Sequence, residues 1–215
     1  MSPVNSKQAE KARQTRRRVL AAAEELFVER GYGATTLQEV ADRAGVAVQT
    51  IYFTFRNKRT LLKELVDVTV AGDDDPIPTM QRPWFTTAMA AATADAHLRA
   101  HVDGAVAVAD RTSLVFEVLR TAAALEPELD GLWRDGGSQR YVVQEAAARA
   151  LLDKPGARPD VTARDVADML YATLSPEMYL LFARDREWSA ERFAEWTYMS
   201  LRSHIIESRG DRDAA

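Results

Sequence analysis

The stretch GVAVQTIYFTFRNKRTLL, residues 45–62, interleaves apolar and polar side chains and runs directly into a basic Arg-Asn-Lys-Arg turn. Nothing in VQTIYFTF breaks a helix, so the residues predict one from Ala47 or Val48 to about Phe55. Val40, Ala41, Val46, Ile51 and Phe55 keep inward spacing, and small Ala41 lets two helices cross closely. Val48, Gln49, Thr50, Phe53 and Thr54 are left pointing outward. A DNA major groove gives exposed Val and Phe a partner, because thymine methyl groups accept apolar contact while Gln49 can bond an adenine edge. A protein interface is the alternative for Val48 and Phe53.

Working outward, Thr36 and Glu39 read as a capping box that opens a helix through Val40, Ala41 and Ala44, and Gly45 ends it. Upstream, Val19, Ala22, Ala23, Leu26 and Phe27 form the stripe of an amphipathic helix, stopped at Gly31. Two short helices around one glycine make a helix-turn-helix. Downstream, Lys58 stands at the start of a helix that Leu61, Leu62, Leu65, Val66 and Val70 carry to about Gly72. There its cation adds to backbone amides that already favour an anion. Tyr52 is expected to pack its ring and offer its hydroxyl to a phosphate.

The net charge of −4 hides an asymmetry: residues 1–63 hold 12 Lys/Arg against 6 Asp/Glu, and the remainder 16 against 26. Arg13, Arg16, Arg17 and Arg18 precede or open the first helix, where they suit a nucleic-acid backbone, although KARQTRRR also reads as a solvated tail. The absence of cysteine excludes disulfides, thiolate metal sites and a cysteine nucleophile. No apolar run is long enough to span a membrane and the N-terminus lacks a secretory stretch, so a cytoplasmic protein with no membrane partner is expected. There is no phosphate-binding glycine loop, dinucleotide fingerprint, nucleophile elbow or zinc-protease helix, and neither an enzyme nor a cofactor is expected.

Thr35-Thr36, Val40-Ala41, Ala44-Gly45-Val46, Thr50-Ile51-Tyr52, Phe55, Lys58-Arg59 and Leu61-Leu62 together resemble the N-terminal signature of the tetracycline-repressor (TetR) family of bacterial transcription regulators. The resemblance covers roughly residues 13–63. It implies an all-α homodimer: a three-helix DNA-binding domain, then a helical bundle that binds a small-molecule effector and releases double-stranded DNA. Carried over by position, it places groove-facing residues at Val48, Gln49, Thr50 and Phe53, and phosphate contacts at Thr36, Tyr52 and Lys58. Arg16 and Arg17 join these on the charge argument. Ala47, Val48 and Thr54 depart from the family pattern, which frequently has Ser, a polar or basic residue, and His there. The expected function is a repressor acting on an inverted repeat; the alternative is a ligand-independent DNA-binding or architectural protein whose bundle only dimerises.

The expected organisation is a flexible basic arm at 1–12, the DNA-binding domain at 13–63, a connecting helix at 64–72, a helical ligand-binding and dimerisation domain at 73–207, and a disordered tail at 208–215. DDDPIPTMQRP reads as a connector, followed by helices near 94–110, 112–124, 126–153, 162–183 and 189–207, with Pro176 kinking or splitting its helix. Trp84, Phe116, Arg120, Trp133, Tyr141, Met169, Tyr171 and Met178 suit a ligand cavity, with Gln144 and Glu177 as further polar tips; core packing explains the same large residues. Phe193, Trp196, Thr197, Ser200, Leu201 and His204 share one face of the last helix. That face suits a four-helix dimer interface or the protomer's own core. His97 and His101, four apart, have the spacing of metal ligands, but without a third partner they read as solvated surface and no metal is expected.

Overall fold

The computed structural model describes residues 3–73, 75 and 77–207, with side chains from Lys7 onward. It is all-helical, as expected. Its α-helices are α1 Pro3–Arg30, α2 Leu37–Ala44, α3 Val48–Phe55, α4 Lys58–Ala71, α5 Pro83–Ala90, α6 Ala94–Leu125, α7 Pro127–Leu152, α8 Ala163–Thr173, α9 Pro176–Ala183 and α10 Ala190–Ile205, with a 3-10 turn at Thr79–Gln81. Among the described residues the only β pairing is one isolated bridge, Ala157 to Ile206. No described helix is long and apolar enough to cross a membrane. The chain divides into a front unit, residues up to Thr69 with Leu114–Trp133, and a back unit, Val70–Ser113 with Arg134 onward. The sequence pattern places Leu114–Trp133 in the back domain instead; α6 alone is about 48 Å long, enough to serve both units.

In the front unit the predicted stripe of α1 is buried at Val19, Ala22, Ala23, Leu26 and Phe27, and so are Val40 and Ala41 of α2, Ile51 and Phe55 of α3, and Leu61, Leu62 and Leu65 of α4. Gly31 ends α1 with φ +82°, a conformation that favours glycine. The buried Thr35 hydroxyl donates to the Leu26 and Gly31 carbonyls, tying the turn that follows. Residues 3–12 are helix rather than an arm, because Lys7, Gln8, Ala9 and Glu10 are good helix formers with no break before Arg30. The predicted tail at 208–215 lies outside the described residues.

In the back unit the segment read as a connector carries structure that its prolines concealed. Arg82, only 6% exposed, donates from Nη1 to Asp73 at 2.6 Å, from Nη2 to the Asp75 carbonyl and from Nε to the Ile77 carbonyl. Pro83 then occupies the first turn of α5, where a proline loses no helical hydrogen bond. The two helices expected at 94–110 and 112–124 are one, since Asp110-Arg111-Thr112 contains no breaker and the Thr112 hydroxyl is satisfied by the Val108 carbonyl. Pro176 splits its helix as expected, with Ser175 capping the second half.

Candidate nucleic-acid interface

The helix-turn-helix is fixed by local chemistry at each end of α2. The Thr36 hydroxyl accepts from the Glu39 amide while Glu39 accepts from the Thr36 amide at 2.8 Å, the reciprocal capping box. Those contacts, the Thr36 amide first, hold the Glu39 carboxyl below its usual range. Gly45, with φ +64°, ends α2 in the left-handed conformation. The Arg18 guanidinium donates to the Ala44 and Gly45 carbonyls, where the last turn leaves acceptors unpaired. Arg18 is therefore a cap on α2, a role the basic run concealed.

α3 buries Ile51 and Phe55 and turns its other side to water. Phe53 is 91% exposed and Tyr52 54%; Gln49 and Thr54 are exposed, while Val48 and Thr50 are half-buried. Gln49 and Phe53, four apart, share a face. The Thr54 hydroxyl turns back onto the Thr50 carbonyl at 2.8 Å, so it is engaged within the helix. Val46, expected in the core, is half-buried at the turn, and its amide bonds the Ala41 carbonyl. Ala47 supplies no side-chain cap, leaving the first amides of α3 directed outward. Arg56 leaves α3 with φ +66°, and Asn57 accepts from the Thr60 amide to cap α4. Asn57 was missed, though Asn three before Thr at a helix start is a legible capping signal.

The expected phosphate contacts fall into two kinds. The Lys58 ammonium donates to the carbonyls of Tyr32 at 2.8 Å and Thr35 at 3.0 Å and lies 4.2 Å over the Tyr32 ring, so it staples α4 to the turn after α1. Burial, with Glu126 nearby, pushes the Tyr32 phenol up to about 12. Arg16 pairs with Glu64 at 3.0 Å, half-buried, and Arg13 with Glu10 at 2.8 Å on exposed surface; Arg17 is exposed. Thr36 is exposed, but its hydroxyl donates to Glu39. Arg30 and Arg43 also meet carboxylates, so much of the front charge is neutralised within the unit. Such exposed pairs are worth about 0–1 kcal/mol, and an arriving phosphate can replace them.

The residues expected to line a ligand cavity do not form one group. Phe116 meets Trp133 edge-on at 6.4 Å in the front unit, and Arg120 is exposed. In the back unit Tyr141 meets Tyr171 at 5.6 Å, donates to Asp168 at 2.9 Å, and Arg140 stacks on Tyr171. Met169 and Met178 are partly buried against the core, and Glu177 is exposed. Trp84 packs on Phe85 and lies 5.8 Å from His101.

His97 and His101 are not solvated surface: they are 0% and 1% exposed. An i, i+4 pair shares a face of α6, and that face turns inward with Leu98 and Val102. His101 Nε2 is 2.8 Å from Gln144 Oε1, whereas His101 Nδ1 and both His97 ring nitrogens have no hydrogen-bond partner. Burial pushes His97 down to about 4, helped by His101 and Lys154; burial also pushes His101 down, against the opposing bond to Gln144. Among the described residues no group of three His, Asp or Glu is placed to hold a metal ion.

The dimer stripe also needs correction. Phe193 and Leu201 are 0% and 2% exposed and lie in the back unit's own core with Thr197, Tyr198 and Ile205, because spacing by four keeps them on the inward face of α10. Trp196 and Ser200 are half-buried and His204 is exposed. Trp196 joins Phe182, at 4.7 Å, and Trp188 in an aromatic cluster, beside which Leu181 and Met199 are half exposed.

Residues 19–65 match the family described as bacterial regulatory proteins, tetR family. In curated relatives the same region is 44% identical over 54 residues to the uncharacterized HTH-type transcriptional regulator YvkB of Bacillus subtilis, covering 25% of this chain and 29% of that one. It is 43% identical over 58 residues to the HTH-type transcriptional regulator TtgR of Pseudomonas putida, covering 27% and 28%. The sequence match therefore spans less than a third of these relatives. Among solved structures, SmeT, the repressor of the Stenotrophomonas maltophilia multidrug efflux pump SmeDEF, superposes with a TM-score of 0.68 at 22% identity, covering 91% of this chain and 94% of its own. Its triclosan complex gives 0.70 at 20% identity, covering 91% and 93%. At that identity the likeness establishes a shared fold.

Proposed function

Because this chain belongs to the tetR family of bacterial regulatory proteins, we propose that it is a cytoplasmic, homodimeric, sequence-specific DNA-binding regulator of transcription. Two copies of α3 enter successive major grooves of an inverted repeat, roughly 34 Å apart. Val48, Gln49, Thr50 and Phe53 face the bases, while Arg16, Arg17, Thr36 and Tyr52 meet phosphates; Lys58, held on the Tyr32 and Thr35 carbonyls, keeps α4 in place beside them. The observation that carries this reading is Phe53, 91% exposed on a helix whose opposite side is core. A phenyl ring left in water forgoes about 1.5–3 kcal/mol of burial, which a groove lined with thymine methyl groups restores.

The dimer forms through the outer faces of α9 and α10, with Trp196, Ser200 and His204 joined by Leu181 and Met199. The protein acts as a repressor, and a small molecule in the back unit releases it by favouring a conformation in which the two α3 helices are wrongly spaced. SmeT, which shares the fold, is a repressor and forms a complex with triclosan, and both facts support that reading. The effector must bind the DNA-bound and free conformations with different affinity, and equal affinity sinks the coupling. The dispersal of the predicted cavity residues favours a second reading, a ligand-independent DNA binder whose bundle only dimerises. A thermal-shift screen separates the two, since any ligand of the folded state raises its stability.

The test of the main reading is selection of duplexes from a random pool at two salt concentrations. An inverted repeat, with Phe53→Ala and Gln49→Ala relaxing preference at defined half-site positions, is the expected result. Recovery of no motif, with binding lost at moderate salt, would leave only phosphate attraction and sink the sequence-specific reading.

A further inference from the structure

The back unit holds a feature that DNA binding does not use: two buried imidazoles with three unpartnered nitrogens. Buried polar atoms without partners are rare and costly, and each calls for a physical cause. The histidines stand at successive turns of α6. Trp84 and Phe85 of α5 lie against His101, at ring distances of 5.8 and 6.2 Å, and Gln144 of α7 bonds its far nitrogen. Trp84 is half-buried and approaches α6 this closely only because residue 104 is glycine; a Cβ there would come within 2.5 Å of the indole.

We propose that His97, His101 and Gln144, walled by Trp84 and Phe85, form a binding site for a neutral, mainly apolar small molecule that carries a hydroxyl group. The donor and acceptor pattern selects this class. With Gln144 Oε1 accepting from His101 Nε2, His101 Nδ1 presents a lone pair, and neutral His97 presents one N–H and one lone pair. A hydroxyl both donates and accepts, so it pairs the His97 N–H and one of the two lone pairs. A carboxylate only accepts and would face two lone pairs. A cation would meet the field of Lys154, whose ammonium is anchored close by on the Met89 and Ala91 carbonyls at 2.9 and 2.7 Å. Trp84, the half-exposed wall, is the side from which a ligand enters.

This deepens the effector reading and rests on it only for the consequence to DNA; the site stands or falls on binding. The test is NMR of the full chain with isotope-labelled histidine imidazoles, titrated at pH 7.5 with p-cresol, toluene, p-toluate and benzyltrimethylammonium. p-Cresol is expected to shift the ring nitrogens of His97 and His101, leave exposed His204 in place, and bind roughly tenfold tighter than toluene, the value of one hydrogen bond to an otherwise unpaired group. His97→Leu should weaken p-cresol by a similar factor while raising the melting temperature of the free protein. Should that variant not fold, the wild-type titration decides alone. Equal binding of p-cresol and toluene, preference for either charged probe, or unmoved His97 and His101 signals would overturn the proposal. p-Cresol bound at the histidines with DNA affinity unchanged would uphold the site and sink the effector reading instead.

Discussion

On α3 the phenyl ring of Phe53 stands 91% exposed in water, whereas on α6 the imidazole of His97 lies fully enclosed with no hydrogen-bond partner at either nitrogen. Each residue sits where the other's chemistry belongs. The two helices also differ in how their neighbours are chosen. Around Phe53 the framework is held by caps and carbonyl contacts from Thr36, Arg18 and Lys58, so the exposed ring is presented on a rigid element. Beside His97 stands His101, and its wall includes a half-exposed Trp84 that rests on Gly104. A large macromolecular partner suits a fixed outward face, and a small molecule suits an enclosed face with one half-exposed wall.

The comparison is sharpest between Phe53 and Phe55, two residues apart. Phe55→Ala removes a side chain only 1% exposed and should cost about 3–5 kcal/mol of stability by urea unfolding. Phe53→Ala should change stability by less than about 0.5 kcal/mol and appear only in DNA affinity. A large stability loss from Phe53→Ala would mean that the ring packs in the free protein and would remove the argument for a groove partner.

The back unit breaks next, through pH. His97 takes up a proton near 6.5 when unfolded but only near 4 when folded. Between those values the unfolded chain binds more protons, so stability is full above about pH 6.5 and falls as pH drops towards 4, by about 3 kcal/mol from this group. His101 adds in the same direction. Denaturant midpoints measured from pH 7.5 to 4.5 check the slope, which His97→Leu should reduce; a flat profile would mean that the imidazole is hydrated.

A smaller effect is expected from Gly104→Ala. Alanine favours a helix by about 1 kcal/mol, but its Cβ must displace the indole of Trp84, and the net cost should be about 1–2 kcal/mol, read by unfolding and tryptophan fluorescence. Gly131→Ala, where a Cβ meets nothing within 4 Å, is the control and should stabilise. The smallest expected change is Arg17→Ala, which should leave stability within about 0.5 kcal/mol and lower the salt slope of DNA binding by about 0.9 per half-site. An unchanged slope would remove Arg17 from the interface.

The helix-turn-helix was legible because its determinants lie within a few residues of one another. Thr36 meets Glu39, Gly45 must accept a left-handed turn, and the spacing of Ile51 and Phe55 chooses the buried side of α3. The roles of the cations were not legible. Arg18 reaches a carbonyl 26 residues away and Lys58 one 26 residues back, distances over which composition carries no signal.

The sequence by itself determined α2, α3 and α4, the capping box and glycine stop of α2, the outward position of Gln49 and Phe53, and the split at Pro176, since each follows from propensity, periodicity or a cap. Only the tertiary structure decided that Phe193 and Leu201 belong to the protomer's own core and that His97 and His101 face inward. Helical spacing says which residues share a face but not what that face meets. What it meets depends on neighbours such as Trp84, Gln144 and Tyr198, which only the fold brings to it.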